Sequence, residues 1–231
     1  GYNEGGTITG CYNSGTVSGY NWIGGVCGRN STGTITGCYN TGEVSGNSNI
    51  GGVCGDNERG TITGCYTNND VVCGNDNGTL DDCGKKTNDD FKNGTVCPLL
   101  NDALKDANAS VRFYRGTNYP ELIMNVPSLA EGVYQISNKE ELYAFALLVN
   151  NGETSANAKL TADIVVNSGL AEGKTMLESL EYDVASGKVT NGSSFVAWTP
   201  MGYYKSDDDH VEYKGTFDGQ GHTISGLDNR E

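Results

Sequence analysis

Thr7-Ile8-Thr9-Gly10-Cys11-Tyr12 returns as Thr34-Ile35-Thr36-Gly37-Cys38-Tyr39 and again as Thr61-Ile62-Thr63-Gly64-Cys65-Tyr66, each time 27 residues further on. A second block, Ile23-Gly24-Gly25-Val26-Cys27-Gly28, returns at the same offset as Ile50-Gly51-Gly52-Val53-Cys54-Gly55. Between them, Thr16-Val17-Ser18-Gly19 matches Glu43-Val44-Ser45-Gly46. Three blocks kept in one register define an internal repeat, and such periods mark stacked repeat architectures. Each unit carries three short β-prone pieces separated by Gly, Asn and Ser, residues that turn the chain by tolerating positive φ or by bonding locally to backbone. No piece is long enough for a sheet of its own. The expected fold is therefore mainly β, a right-handed parallel β-helix with three-stranded coils of about 27 residues, in which equivalent strands stack ~4.8 Å apart. Ile8/Ile35/Ile62, Val17/Val44, Ile23/Ile50 and Val26/Val53 would line a narrow core.

The repeat decays toward its end. Cys54 to Cys73 spans only 19 residues, and a weak fourth copy, Gly78-Thr79-Leu80-Asp81-Asp82-Cys83, follows its predecessor by 18. Degenerate terminal repeats are expected where an array is closed off. Gly84-Lys85-Lys86-Thr87-Asn88-Asp89-Asp90 reads as an exposed connection. Glycine composition changes at the same place: of 34 glycines in 231 residues, 22 lie in residues 1–97 and 12 in residues 98–231.

Charge excludes other classes. Fifteen Lys and Arg stand against 29 Asp and Glu, a formal net charge of −14, which argues against binding a nucleic-acid backbone through clustered basic residues. No apolar run approaches the ~20 residues needed to cross a bilayer as a helix, so membrane insertion is not expected. Glycine does not recur at every third position, which excludes collagen.

Seven of the eight cysteines occupy repeat-equivalent positions, Cys97 being the exception. Stacking would place Cys11, Cys38 and Cys65 in one column, with Cys27, Cys54 and Cys73 in another. A zinc site lacks support, since there is no CxxC and no histidine in the repeats. Interlayer disulfides are the alternative to reduced thiols acting as small hydrophobes. Parallel side-chain vectors make the ~90° torsion of a disulfide awkward, which favours the thiols.

Beyond Cys97 the periodicity changes. Leu100, Ala103, Leu104 and Ala107 fall at i, i+3, i+4 and i+7, the pattern of a short amphipathic helix over residues 98–107. Val111–Tyr114 and Glu121–Met124 read as strands. Val133–Ile136 alternates as a further strand, and Ser137-Asn138-Lys139-Glu140 has the form of a capping box. It precedes a helix with Leu142, Phe145, Ala146 and Val149 on one face. Residues 158–166 read as a strand, Thr175–Leu180 as a helical turn, and Gly215–Leu227 as strand-turn-strand.

Val44-Ser45-Gly46 followed by Ile50-Gly51-Gly52-Val53-Cys54-Gly55 resembles GLUG motifs, short repeats of large bacterial cell-surface and secreted proteins. Leu100-Asn101-Asp102-Ala103-Leu104 with Asn118-Tyr119-Pro120-Glu121-Leu122 is similar to the segment that closes such an array. Leu142-Tyr143-Ala144-Phe145-Ala146, Leu160-Thr161-Ala162-Asp163-Ile164, Trp198-Thr199-Pro200-Met201-Gly202 and Gly215–Ile224 are similar to the segment that opens a new one. Cysteine departs from the aliphatic residue more usual in the Gly-Gly block. The resemblance implies an organisation of β-helical repeats over 1–97, a closing cap over 98–126, and an α+β opening module of a following β-helix over 127–231. That order is the one expected of a piece of a longer protein.

Candidate sites are few. Tyr12, Tyr39 and Tyr66, if exposed, would form an aromatic strip able to stack on sugars; rings packed over the adjacent turns are the competing reading. Asp207, Asp208, Asp209 and Glu212 offer hard oxygen ligands for Ca²⁺ but lack the glycine and alternating spacing of a loop such as the EF-hand, which favours a solvated loop. His222, in Gly219-Gln220-Gly221-His222, reads as a structural turn residue, and His210 as exposed. Outward-facing Thr7/Thr9, Thr34/Thr36 and Thr61/Thr63 would make a regular hydroxyl array of the type that orders water. Through residue 66 the repeats hold only Glu4, Glu43, Asp56 and Glu58 as acids. Glu4 and Glu58 share a register two coils apart. Arg29, in register with Asp56, reads as a surface ion pair between coils, with Arg59 unaccompanied. This is too sparse for the paired carboxylates of glycoside chemistry.

The expected function is non-enzymatic: a structural or adhesive module of a bacterial surface or secreted protein, extracellular, presenting other domains or binding host proteins or polysaccharides. No cofactor is implied. The alternative is an accessory or fragment of a carbohydrate-active β-helix enzyme. Unpaired coils at Gly1 and Glu231 would allow head-to-tail self-association.

Overall fold

The computed structural model describes residues 1–167, 197–198 and 200–228. They fall into two compact units, Gly1–Met124 and Asn125–Glu231. The helical turn expected at Thr175–Leu180 lies outside the described residues.

The first unit is a stack of parallel layers. The first layer holds β1 (Tyr2–Glu4), β2 (Thr7–Thr9), β3 (Tyr12–Asn13), β4 (Val17–Ser18) and β5 (Asn21–Gly24). The second holds β6 (Cys27–Ser31), β7 (Thr34–Thr36), β8 (Tyr39–Asn40), β9 (Val44–Ser45) and β10 (Ser48–Gly51). The third is β11 (Cys54–Thr63) and β12 (Tyr66–Thr67), and the last β13 (Cys73–Asp81) and β14 (Gly84–Lys85). Equivalent strands pair in parallel at the repeat offset: Ile8 with Ile35 and Ile35 with Ile62, Tyr12 with Tyr39 and Tyr39 with Tyr66, and Cys27 with Cys54; across the shortened layer Cys54 pairs with Cys73. Ile62 continues onto Leu80. Two of the expected ladders line the core, where Ile35, Val53 and Ile62 are fully buried beside Cys38, Cys54 and Cys65 with Ile8 and Val26 packed against them; Val17/Val44 and Ile23/Ile50 pair as expected but stay half-buried outside it.

Each complete layer carries five short strands where the sequence suggested three. Gly10, Gly37 and Gly64 adopt positive φ of 61°, 57° and 58°, which bends the chain and divides each Thr-Ile-Thr-Gly-Cys-Tyr block into two strands. The unforeseen strand is the polar one, β1/β6, whose asparagine column is half-buried at Asn3 and fully buried at Asn30 and Asn57, held by hydrogen bonds. Asn3 Nδ2 donates to Asn30 Oδ1 (2.8 Å), Asn30 Nδ2 to Asn57 Oδ1 (2.9 Å), and Asn57 Nδ2 to Asp76 Oδ1 (2.8 Å). The same amides donate to the Gly6, Gly33 and Gly60 carbonyls. A buried amide with its partners in place costs little, whereas an unpaired one is costly. The short third layer skips the β4/β9 and β5/β10 sheets. It rejoins the stack through backbone bonds from Gly52 and Val53 to the Val71 and Val72 carbonyls.

The connection after β14 is exposed or half-exposed over residues 84–90, as expected, and a helix begins inside it. Helix α1 (Asn88–Lys92) is started by a capping box in which Thr87 and Asp90 satisfy each other's backbone N–H groups, and it buries Phe91. Helix α2 (Val96–Asp106) buries Val96, Cys97, Leu100, Ala103 and Leu104. Residue 97 thus lies inside α2, and repeats and closing segment belong to the same compact unit. Strands β15 (Val111–Arg115) and β16 (Pro120–Met124) then form an antiparallel hairpin.

The second unit begins with β17 (Ser128–Ala130) antiparallel to β18 (Val133–Ile136). Helix α3 (Lys139–Asn150) follows, capped one residue later than the sequence suggested: Asn138 accepts from the Glu141 N–H, and the Glu141 carboxylate accepts from the Ser137 N–H and hydroxyl. The strand expected over 158–166 is two, β19 (Asn157–Leu160) and β20 (Ile164–Val165). After the hairpin β21 (Tyr203–Ser206) and β22 (Asp209–Val211), β23 (Phe217–Asp218) and β24 (Ile224–Ser225) pair in parallel with β19 and β20. Parallel stacking therefore recurs here, over a core that includes Tyr134, Ile136, Leu142, Phe145 and Leu160.

Candidate functional site

The tyrosine column forms, but it is not a ligand strip. Tyr12 and Tyr39 stack with centroids 5.2 Å apart and planes 10° apart. Phe91 and Phe113 close on Tyr39, each at 5.3 Å, and the Tyr39 hydroxyl donates to the Pro120 carbonyl at 2.7 Å. Tyr39 and Tyr66 are 0 % and 3 % exposed, leaving only Tyr12 with half its surface in solvent. Burial raises the Tyr39 phenol above its ordinary value. The cause is the closing segment, which lies along the side of the layers. The glycine column makes this possible: a Cβ on Gly37 would sit 2.5 Å from Leu104 Cγ, and one on Gly64 2.3 Å from Ala103 Cβ. The threonine array is likewise incomplete, because Thr36 is buried.

The cysteines stand in two columns, all as free thiols. In the first, each backbone N–H donates to the sulfur of the next layer, Cys11 to Cys38, Cys38 to Cys65 and Cys65 to Cys83, at 3.3, 3.3 and 3.4 Å. In the second, the Cys27, Cys54 and Cys73 thiols donate to the Arg29, Asp56 and Asn75 carbonyls. Cys97 lies apart in α2, where burial pushes its thiol up to about 11.

The acidic segment forms the β21–β22 hairpin, with Asp207, Asp208 and Asp209 exposed. Asp207 accepts from the Tyr204 hydroxyl at 2.7 Å. Asp209 pairs with Lys205 at 3.6 Å and Glu212 with Lys214 at 3.4 Å. Among the described residues, no group of three or more His, Cys, Asp or Glu side chains is placed to hold an ion. His222 sits 3.3 Å from Asp163, whose carboxylate also accepts the Thr223 N–H at 2.9 Å, so both residues tie β20 to β24. His210 lies against the Tyr204 ring.

A further group of polar and aromatic side chains spans β1, β5, β6 and β11. Tyr2, Arg29 and Asp56 are register partners. Arg29 Nε lies 3.0 Å from Asp56 Oδ2, as the repeat offset suggested, and Arg29 Nη2 also bonds Glu58. Arg59, expected to lack a partner, lies 3.6 Å from Glu58. Asn75 Nδ2 donates to the other Asp56 oxygen at 2.6 Å. The Arg29 guanidinium is 5.6 Å from the Tyr2 ring centroid and 5.3 Å from that of Trp22. Gly1, Tyr2, Asn21, Trp22, Gly28 and Arg29 line a cavity of about 510 Å³. Sequence reasoning found the Arg29–Asp56 pair but missed the two aromatics. Their signal was a break in the repeat, since Trp22 stands where the next layer has Asn49.

A stack of parallel β layers closed by a lateral α+β segment is thus the class of protein that fold and surface define. The family model of the GLUG motif matches residues 19–45, the length of one repeat, running from the end of the first layer through β9. No curated protein and no solved structure gives a match.

Proposed function

We propose that this chain is a non-enzymatic scaffold module of a bacterial surface or secreted protein, working outside the cell, in which right-handed parallel β-helical repeats space other domains and offer a ligand-binding face to polysaccharides or host proteins. The observation that carries this reading is the coincidence of the GLUG motif match with one layer of a parallel stack. Such a stack is rigid: every layer is joined to the next by backbone pairing, a buried amide ladder and a thiol column, and each added layer lengthens the rod without altering the core. The second unit, where parallel pairing starts again across β18, β19 and β23, suits the opening of a following array. Incubating the chain with a panel of polysaccharides, while measuring both retention and release of reducing ends, tests the reading. Retention without turnover agrees with it; release of new reducing ends replaces it with a carbohydrate-active enzyme.

A further inference from the structure

The last layer keeps both thiol columns although the repeat has lost residues. Cys73 follows Cys54 by 19 residues, and Cys83 follows Cys65 by 18. A β-bulge absorbs the difference: the register of β13 on β11 shifts between Glu58 and Thr61, so Cys54 faces Cys73 at one end and Thr63 faces Asp81 at the other. Just beyond, the Cys65 N–H donates to the Cys83 sulfur at 3.4 Å. Both columns therefore end alike, with a half-buried thiol, Cys73 or Cys83, beside a fully buried one, Cys54 or Cys65. The layer that carries the outer thiols is also the least restrained. Among the described residues β13 pairs only with β11, and β14 only with β12.

We propose that Cys54–Cys73 and Cys65–Cys83 are sites of oxidative cross-linking, where hydrogen peroxide converts each neighbouring thiol pair into a disulfide that fastens the last layer to the one above. The peroxide meets the outer sulfur first. The Cys73 thiolate attacks one peroxide oxygen and the O–O bond breaks, leaving a sulfenic acid and a hydroxide that takes up the proton Cys73 released. The Cys54 sulfur then attacks the sulfenic sulfur. An S–S bond forms, the S–O bond breaks, and the Cys54 proton leaves with the hydroxyl as water. The two thiols lose one electron each, and the peroxide is reduced to two waters. Cys83 and Cys65 follow the same course. Hydrogen bonding with the neighbouring thiol, Cys54 for Cys73 and Cys65 for Cys83, holds each outer thiol below its ordinary value, which favours thiolate on the accessible side of each pair. A rigid ladder resists the ~90° torsion of a disulfide, but a layer paired on one side only can shift to adopt it. Cys27 and Cys38, with a paired layer on either side, lack that freedom.

The test exposes the full chain, reduced and freed of reductant, to a small molar excess of hydrogen peroxide under native conditions. Remaining thiols are then blocked and the linkages mapped by mass spectrometry without reduction. The expected result is the loss of two hydrogens per link, with Cys54–Cys73 and Cys65–Cys83 as the linked pairs, both reopened by dithiothreitol. Cys73→Ser should lose the link at Cys54 and keep Cys65–Cys83, and Cys83→Ser should do the reverse. Cys54 joined to Cys27, Cys65 joined to Cys38, Cys73 joined to Cys83, links between molecules, or sulfinic acid at Cys73 and Cys83 without a link would each overturn the assignment. The map of the parent chain decides between these outcomes even where a serine variant fails to fold.

Discussion

Replacing Asn30 by Ala removes the centre of the amide ladder. Asn30 is fully buried, donates to Gly33 O at 3.0 Å and Asn57 Oδ1 at 2.9 Å, and accepts from Asn3 Nδ2 at 2.8 Å. The losses are unequal. Gly33 O keeps the Thr61 N–H, and Asn3 Nδ2 keeps the Gly6 carbonyl. Asn57 Oδ1 loses its donor from the layer above, in a residue with no exposed surface. An orphaned buried acceptor costs ~1–3 kcal/mol and each exchanged hydrogen bond ~1 kcal/mol. The expected loss is therefore about 3 kcal/mol, or ~1.5 M in urea midpoint at a slope of ~2 kcal/mol/M. Asn30→Asp should cost at least as much, since it sets a carboxylate oxygen against Asn57 Oδ1. The exposed Asn77, the register partner of Glu58, serves as control, and Asn77→Ala should change stability by less than ~0.5 kcal/mol. Hydrogen exchange read by mass spectrometry reports residues 1–124 separately from the second unit. If Asn30→Ala and Asn77→Ala proved equally mild, the ladder would not be what buries the polar strand.

Other consequences can be measured in the same way. Gly37→Ala introduces both a left-handed Ala and a Cβ 2.5 Å from Leu104 Cγ, so it should cost about 3 kcal/mol. Gly5→Ala, with the same sign of φ and nothing nearer than 3.9 Å, should cost ~1 kcal/mol, and similar losses in urea unfolding would refute lateral packing by α2. Tyr39→Phe loses only the bond to Pro120 O and should cost ~1 kcal/mol without altering glycan retention. Native alkylation followed by mass spectrometry should modify the exposed Cys11 first, the half-buried Cys73 and Cys83 later, and Cys27, Cys38, Cys54, Cys65 and Cys97 only on unfolding; early labelling of Cys38 would break the column. The Asp163 carboxyl is held below the usual aspartate value by the Thr223 N–H and then by His222. Its contribution is therefore complete above ~pH 4 and disappears as pH falls through the depressed folded value. An NMR titration of Asp163 placing its midpoint at or above the ordinary value would contradict the contact.

How far the sequence went depended on whether a feature was repeated. The Ile8/Ile35/Ile62 ladder, the thiol columns and the Arg29–Asp56 pair all follow from one number, the repeat offset, because translation along a parallel stack converts equal spacing into contact. The side of the stack that α2 covers does not follow from it. Leu100 and Leu104 announce an apolar helix face, and Gly10, Gly37 and Gly64 announce missing side chains. Nothing local in either says that the two meet, so the closing segment was expected beyond the repeats, and the tyrosines were expected to pack over their own turns or to stand exposed, not to be covered by α2 and the hairpin after it. Helix α1 was hidden for another reason. Its single buried residue, Phe91, gives no periodicity, and its start is marked only by Thr87 and Asp90 in a run that is otherwise polar. Trp22 was legible only as a departure from Asn49.

Departures from the repeat also explain how the array ends. Every amide in the ladder donates toward the following layer, from Asn3 to Asn30 to Asn57, so an amide in the last layer would point a donor past the end of the ladder. Asp76 stands there instead. A carboxylate accepts with both oxygens and donates with neither, so it takes the Asn57 amide on Oδ1 together with the Gly78 N–H at 3.2 Å and terminates the donor chain without an orphan. The second ladder ends differently, with Asn40 Nδ2 donating to the Gly42 carbonyl of its own layer at 2.8 Å. Asn13 Nδ2 donates to Asn40 Oδ1 at 2.7 Å, and the register partner of Asn40 in the third layer is Thr67, whose hydroxyl accepts from Asn69, while Asn69 also donates to Gly42 O. The change from Asn to Asp at residue 76 is thus chemically directed: it falls where a propagating donor has to be answered by an acceptor. A layer bearing Asn in the column invites another layer below it, and a layer bearing Asp closes the stack.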